Sequence, residues 1–513
     1  MTTGNRPDPS RRPLRSGWHH GRPAALVLAL MVSMPAVAHG QAVATPPATA
    51  GAAPAGAAPA GAAPAGAASA GAAPAELGFL TNIWSRDTLL GNLGGLRDRL
   101  AEYGITIGLQ ETSEVLGNVT GGVHTGFAYD GATLMKLNVD TEKAFGLPGG
   151  TFFISALQIH GRNLAADNLL ALQIPSNIEA DRSTRLWELW YQQAFLDGRV
   201  DVKIGQQAAD QEFITSLGAS LFINSAMGWP VLPAVDLYAG GPAYPLSTLG
   251  ARVRATGLGP FTVLAGVFDD NPPGGPFDDD SQVRGRERAG AQFNLNTGAL
   301  FIAEVQYAIN QPAGDADSGA KATGLPGTYK FGGWYDTGSF PDQRYDSNGN
   351  LLAVTGGDPL MRRHNYSLYA IADQAIWRPD PASPRTIGVF ARVMGAPGDR
   401  NLVSFGANAG ITVKAPLPGR DDDTFGVGWG IAKIGGNAIQ FGRDLNALGT
   451  YTPVRSSENF IEVTYQCQVA PWWQVQPDFQ YIFMPGGGIA NPQNPSKRVG
   501  NEAILGVRTN ITF

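Results

Sequence analysis

Seven polar or aromatic side chains share a pattern that suits noncovalent binding. Glu188, Trp190 and Gln192 alternate along one run, Lys203 sits in the next, and Arg252 and Arg254 in a third; Glu114 occupies a like position far upstream. Acids, bases and an amide are mixed in similar number. A ring of one sign would select ions, whereas interspersed donors and acceptors match a neutral polyol. Trp190 offers an apolar face on which a sugar ring could stack, with hydrogen bonds from Glu188, Gln192 and Arg252. The plainer alternative is that these side chains hydrate a wall or pair with one another. Lys136, Glu304, Arg392, Glu462, Asp478 and Arg508 fall at equivalent positions elsewhere.

Covalent chemistry finds no comparable pattern. His124, His160 and His364 are scattered, and neither a zinc-protease motif nor a G-x-S-x-G elbow is present. Asp346, Asn348 and Asn350 imitate part of a calcium loop, but Gly349 is misplaced for one, so a turn is expected. The acidic triplets Asp278 to Asp280 and Asp421 to Asp423 read as solvated loop tips within reach of divalent cations. Cys467 is the single cysteine, which excludes an intrachain disulfide and a cysteine metal cluster. No cofactor and no resident metal are expected.

The elements that must position the polar set are strands. Leu186 to Phe195 alternates, with Trp187, Leu189, Tyr191 and Phe195 on one face and Glu188, Trp190 and Gln192 on the other. Asp197-Gly198 turns the chain into Val200, Val202 and Ile204, set against Asp201, Lys203 and Gly205. Leu249, Ala251 and Val253 then oppose Arg252 and Arg254. The same period runs through Met135 to Asp140, Phe301 to Tyr307, Val403 to Lys414, Phe425 to Ile431, Ile461 to Cys467, Trp473 to Phe483 and Leu505 to Phe513. One face is rich in Trp, Tyr and Phe and the other is polar, which suits a barrel with lipid outside and water inside. About seventeen strand candidates can be marked; barrels of this kind take even numbers, so sixteen are expected, enough to leave an aqueous channel. The loop from Ala208 to Tyr244 either folds inward and narrows the pore or forms an outer lid.

With 67 Gly, 37 Pro and a net charge of -6 in 513 residues, the composition fits an all-β chain and gives no footprint for nucleic acid. Arg11, Arg12, Arg15 and Arg22 precede the apolar run Ala24 to Met34 and the small-residue site Ala36-Val37-Ala38, so residues 1–40 are expected to be an export signal. No later run is long enough for a membrane helix. Residues 41–76 hold GAAPA pentads and read as a disordered spacer; residues 77–513 form the barrel domain. Leu93, Leu96 and Leu100 have helical spacing and Gly104 ends the run. They predict a short helix at the mouth, in the lumen, or simply on the surface.

Four blocks resemble the carbohydrate-selective outer-membrane porins, the OprB-like family: GGLRDRLAEYGI at Gly94 to Ile105, SNIEA through LWELWYQQAF at Ser176 to Phe195, GGPAYPLSTLGARVR at Gly240 to Arg254, and Glu462 to Phe513 with QPDFQYIFMPGG. The family generally has tryptophan before the double glycine, where this chain has Leu93. The resemblance implies a sixteen-stranded transmembrane antiparallel β-barrel in a Gram-negative outer membrane that passes glucose and related sugars, including oligosaccharides, without catalysis. Its partners would be outer-membrane lipid and lipopolysaccharide, and barrel-assembly machinery through the strand ending at Phe513, as a monomer or homotrimer. A general diffusion porin without a sugar site and a secreted glycan-binding β-protein are the alternatives.

Overall fold

The computed structural model describes residues 82–274, 288–295, 297–311 and 324–513. The export signal, the pentad spacer and Asp278 to Asp280 lie outside the described residues. In chain order the first strands are β1 (Ile105–Gly122), β2 (Gly126–Asp140), β3 (Gly150–Gly161), β4 (Ser183–Phe195), β5 (Val200–Gln207), β6 (Thr248–Leu258), β7 (Phe261–Asp269) and β8 (Ala299–Ile309). They continue with β9 (Gly327–Asp346), β10 (Pro359–Trp377), β11 (Thr386–Gly395), β12 (Val403–Lys414), β13 (Thr424–Ile434), β14 (Ser457–Ala470) and β15 (Trp473–Phe483). A small hairpin, β16 (Ala490–Asn491) and β17 (Asn494–Arg498), precedes the last strand, β18 (Gly500–Thr512).

Sixteen of these strands close into one antiparallel barrel in which each pairs with its sequence neighbour and β18 returns to β1. Closure leaves no unpaired backbone edge, the condition for a sheet in lipid. The pairing of Glu114 with Arg508 and of Val115 with Val507 fixes the seam. Connections at the end that holds Ile105 and Thr512 include the tight turns 196–199, 259–260 and 471–472, while the opposite end carries the long segments 162–182, 208–247, 435–456 and 484–499.

The period of two sorts side chains as a membrane barrel requires. On β8, Phe301, Val305 and Tyr307 are exposed, whereas Leu300, Ile302, Glu304 and Gln306 are buried inside. Phe261, Tyr307 and Tyr329 form a ring-to-ring series near the tight turns, at 5.1 and 6.5 Å. Such an aromatic girdle belongs at a membrane interface.

The inside departs from a simple aqueous lumen. Phe213, Ile214, Phe222, Met227 and Leu232 of the 208–247 segment pack with inner-wall residues Phe268, Ile302, Trp334, Ile371, Phe390 and Phe460 as one buried cluster. The loop therefore folds inward rather than capping the outside. Glycines on β12 and β13 make this approach feasible. A Cβ at Gly426 would meet Leu221 at 2.6 Å, one at Gly428 would meet Met227 at 2.7 Å, and one at Gly406 would meet Leu232 at 2.8 Å.

Three assignments of side chains change. Trp187 is only 4% exposed and packs inside with Leu134, Leu157, Ile159 and Ala208. The register shift between Ser155 and Ala156 is the cause, because it opposes Ser155 to Glu188 but Ala156 to Leu186, leaving Trp187 as the extra bulge residue. A similar shift between Val403 and Phe405 turns Val403 inward. Asp423 is no solvated tip: it is buried, bonded to Arg420 at 2.8 Å, Tyr465 at 2.6 Å and the Gln468 amide at 2.9 Å, at the tight-turn end of the barrel. Asp421 and Asp422 remain exposed.

The helix lies at the mouth, over Leu96–Glu102, and none of its residues is buried. Arg97 reaches the Phe513 carbonyl and the Leu89 amide donates to Thr512 at 2.8 Å, which ties the segment to the seam strand. Leu93 stands outside the helix, in a left-handed turn with φ 51°. Asp346 accepts from the amides of Asn348 and Asn350 at 3.0 and 2.7 Å, the expected turn.

Candidate functional site

An irregular segment inside a barrel must find partners for its backbone. The strand charges supply them. Arg392, 1% exposed, donates to the carbonyls of Ile214, Ala226, Met227 and Gly228 at 2.6 to 3.1 Å. Glu304 accepts from the Ile214 amide and Tyr369 hydroxyl, both at 3.0 Å. Asp373 takes Ser216 and Gly218 at 2.7 and 2.8 Å, and Glu462 takes the amides of Ile223 and Asn224 at 2.6 and 3.2 Å.

The 162–182 loop is held in the same way. Glu458 accepts from the amides of Leu172 and Gln173 at 2.8 and 2.7 Å. Glu114 bonds Ser176 and pairs with Arg508 at 2.8 Å, while Arg508 donates to Asn177 at 2.7 Å. Asp478 accepts from Gln480 at 3.0 Å, and Gln480 also donates to the Pro175 carbonyl at 2.8 Å. The structure thus sets Glu114 apart from the other candidates, at the β1–β18 seam.

The remaining six meet on β4, β5 and β6. Register places Gln192 opposite Lys203, Lys203 opposite Arg252, and Asp201 opposite Arg254. Arg252 pairs with Asp201, approaches Glu212 at 2.6 Å and donates to Gln192 at 3.1 Å. Arg254 donates to Asp201 at 2.7 Å. Lys203 pairs with Glu212 and stands 4.4 Å over the Trp190 ring. Phe153 stacks on Trp190 at 4.8 Å, and the Glu188 carboxyl accepts from the Ala208 amide at 3.3 Å. Lys136 sits nearby, partly exposed.

Two members of this network, Asp201 and Glu212, were not among the candidates. Asp201 shares the face of Lys203, so alternation could have found it; Glu212 lies in an irregular segment where no period places it. Burial pushes the Glu212 carboxyl up, but the Lys203 ammonium and the Arg252 guanidinium outweigh it and hold the group at about 2.

Three cationic groups, Lys203, Arg252 and Arg254, face the carboxyls of Glu188, Asp201 and Glu212. The balance leaves a half-buried Trp190, with Gln192, Arg254 and Glu212 partly open. Phe153 and Lys203 cover the Trp190 ring, so the wall meets a neutral polyol chiefly through hydrogen bonds, without a strong field for either ion sign.

A family profile described as "Carbohydrate-selective porin, OprB family" matches residues 124–513. Porin B of Pseudomonas aeruginosa is 26% identical over 447 residues, covering 83% of this chain and 91% of the relative. The fold matches the high-pH structure of Pseudomonas putida OprB with a TM-score of 0.71 at 23% identity, covering 84% of this chain and 100% of that one. The low-pH structure of the same protein gives 0.50 at 16% identity, over 84% of this chain and 99% of that one. Family and barrel together point to a channel rather than an enzyme. With the profile spanning most of the chain and a closed sixteen-stranded barrel beneath it, the chain belongs to the OprB family of carbohydrate-selective porins, in the outer membrane of a Gram-negative bacterium.

Proposed function

We propose that the protein passes glucose-like sugars by passive diffusion toward the periplasm, and that the wall formed by β4, β5 and β6 with Glu212 is where a sugar is recognised. The charge-balanced network beside Trp190 carries this reading. It supplies donors and acceptors beside a half-buried indole, while the inward 208–247 segment restricts the path. Bacterial barrels turn their short connections to the periplasm, so the end with both termini of the barrel is the exit.

The test is single-channel conductance in a planar bilayer with rising glucose. Conductance falls as glucose occupies the lumen, and Trp190→Ala raises the glucose needed for half-block about tenfold, equivalent to about 1.4 kcal/mol. Open channels indifferent to glucose would leave a general diffusion pore.

A further inference from the structure

A second polar site lies on the opposite side of the barrel wall from the network, on β12 to β15 at the mouth that holds the tight turns. A cavity of about 560 Å³ opens there, lined by Trp84, Lys414, Asp422, Thr424, Gln466 and Gln474 among others. Its wall is built by register. Lys414 opposes Thr424, Thr424 opposes Gln466, and Gln468 opposes Gln474, so four neighbouring strands, β12 to β15, end in one contiguous polar row.

Trp84 enters this row from outside the sheet. The N-terminal segment runs along the rim from the β14–β15 turn to the β18 end, and Trp472 holds it by donating from Nε1 to the Ile83 carbonyl at 2.6 Å and by a ring contact with Trp84 at 6.2 Å. Trp472 is itself stacked on Trp473 at 5.9 Å. The supporting ring is 8% exposed, whereas Trp84 is 63% exposed. An indole kept open on a firm base, beside polar groups, offers a stacking face.

The polar groups divide into fixed and available ones. Gln474 donates to Gln468 at 2.8 Å and accepts from Asn510 at 2.9 Å, which fixes the floor. Lys414, Asp422, Thr424 and Gln466 make no side-chain hydrogen bond or ion pair among the described residues. They leave an ammonium, a carboxylate, a hydroxyl and an amide free around the ring. The volume falls in the range of small-molecule sites, and one cation beside one anion gives no net preference for charge.

We propose that this cavity is a second sugar-binding site, a subsite at the exit roomy enough for more than one pyranose ring, with Trp84 as its stacking platform and Lys414, Asp422 and Gln466 as hydrogen-bonding groups. It rests on the reading of the channel as a sugar path. A sugar leaving the β4–β6 network would be received by a site of the same chemistry before release.

The experiment titrates glucose into the detergent-solubilised barrel, following tryptophan fluorescence and calorimetric heat, for the native protein, Trp84→Ala, Trp84→Phe, Gln466→Ala and Trp190→Ala. The native protein binds in two components. Trp84→Ala and Gln466→Ala each weaken one component about tenfold and spare the one that Trp190→Ala weakens, while Trp84→Phe keeps calorimetric binding near the native value. If Trp84→Ala and Gln466→Ala both titrate like the native protein while Trp190→Ala weakens binding, the exit site is overturned and the β4–β6 one stands. If the native protein binds no glucose, both fall.

Discussion

At the residue scale, the two charged positions with most influence are Glu212 and Arg392. Glu212 sets its charge against Lys203 and Arg252, so Glu212→Gln leaves the wall with one uncompensated cation. The expected outcome is a shift toward anion permeability, read as a change in reversal potential in a KCl gradient. A carboxyl held at about 2 binds its proton less readily than in the unfolded chain. Its contribution to anchoring the loop is therefore complete above its ordinary value of about 4.5 and is lost only as pH falls through about 2. Ion selectivity from this group should stay flat from pH 7 to the ordinary carboxylate range and move only below it. Arg392 holds four carbonyls in a buried place. Arg392→Leu strands those acceptors and should lower unfolding stability by roughly 3 kcal/mol or more, since an unpaired buried group costs about 1–3 kcal/mol. The heat-dependent gel shift of the folded barrel measures the loss.

The decisive element is the inward segment between β5 and β6. It has no continuous period, and the glycine rows of β12 and β13 leave the space that its apolar side chains fill. Gly428→Val places new methyl groups where Met227 and Phe222 already stand, a small-to-large change that costs about 1–3 kcal/mol when neighbours cannot yield. The expected result is a displaced segment, a larger single-channel conductance and weaker block by glucose. A conductance equal to that of the native channel would show that the segment does not restrict the path. The glycine period on β13 is thus a packing feature of the strand.

At the scale of the whole molecule, stability follows which side of the barrel a residue faces. Val507 lies near the middle of β18, exposed and opposite Val115. Val507→Arg should destabilise the barrel by about 2–4 kcal/mol, the cost of a cation near the bilayer midplane. Gln466→Arg, on the inner face at the exit, should leave urea unfolding in lipid vesicles near the native midpoint. Equal losses from both would contradict the assignment of faces.

Much of this was legible in the chain itself. Alternation identified the strands and placed Phe301 and Val253 outside and Glu304 and Arg252 inside, because a strand in a two-sided environment must put every second residue in each. The four sequence blocks carried the family. Only the tertiary structure decided what the inner face meets. Glu304, Arg392 and Glu462 obey the same period as Arg254, yet they hold a folded-in segment while Arg254 borders the path. Periodicity records which side a residue takes, not whether solvent or chain lies there. Trp187 turned inward because one extra residue at a bulge shifts the pattern locally, and Glu212 joined the network through a segment without any period. Those placements depend on how adjacent strands pair and on how the 208–247 segment folds against them, and neither is recorded in a period.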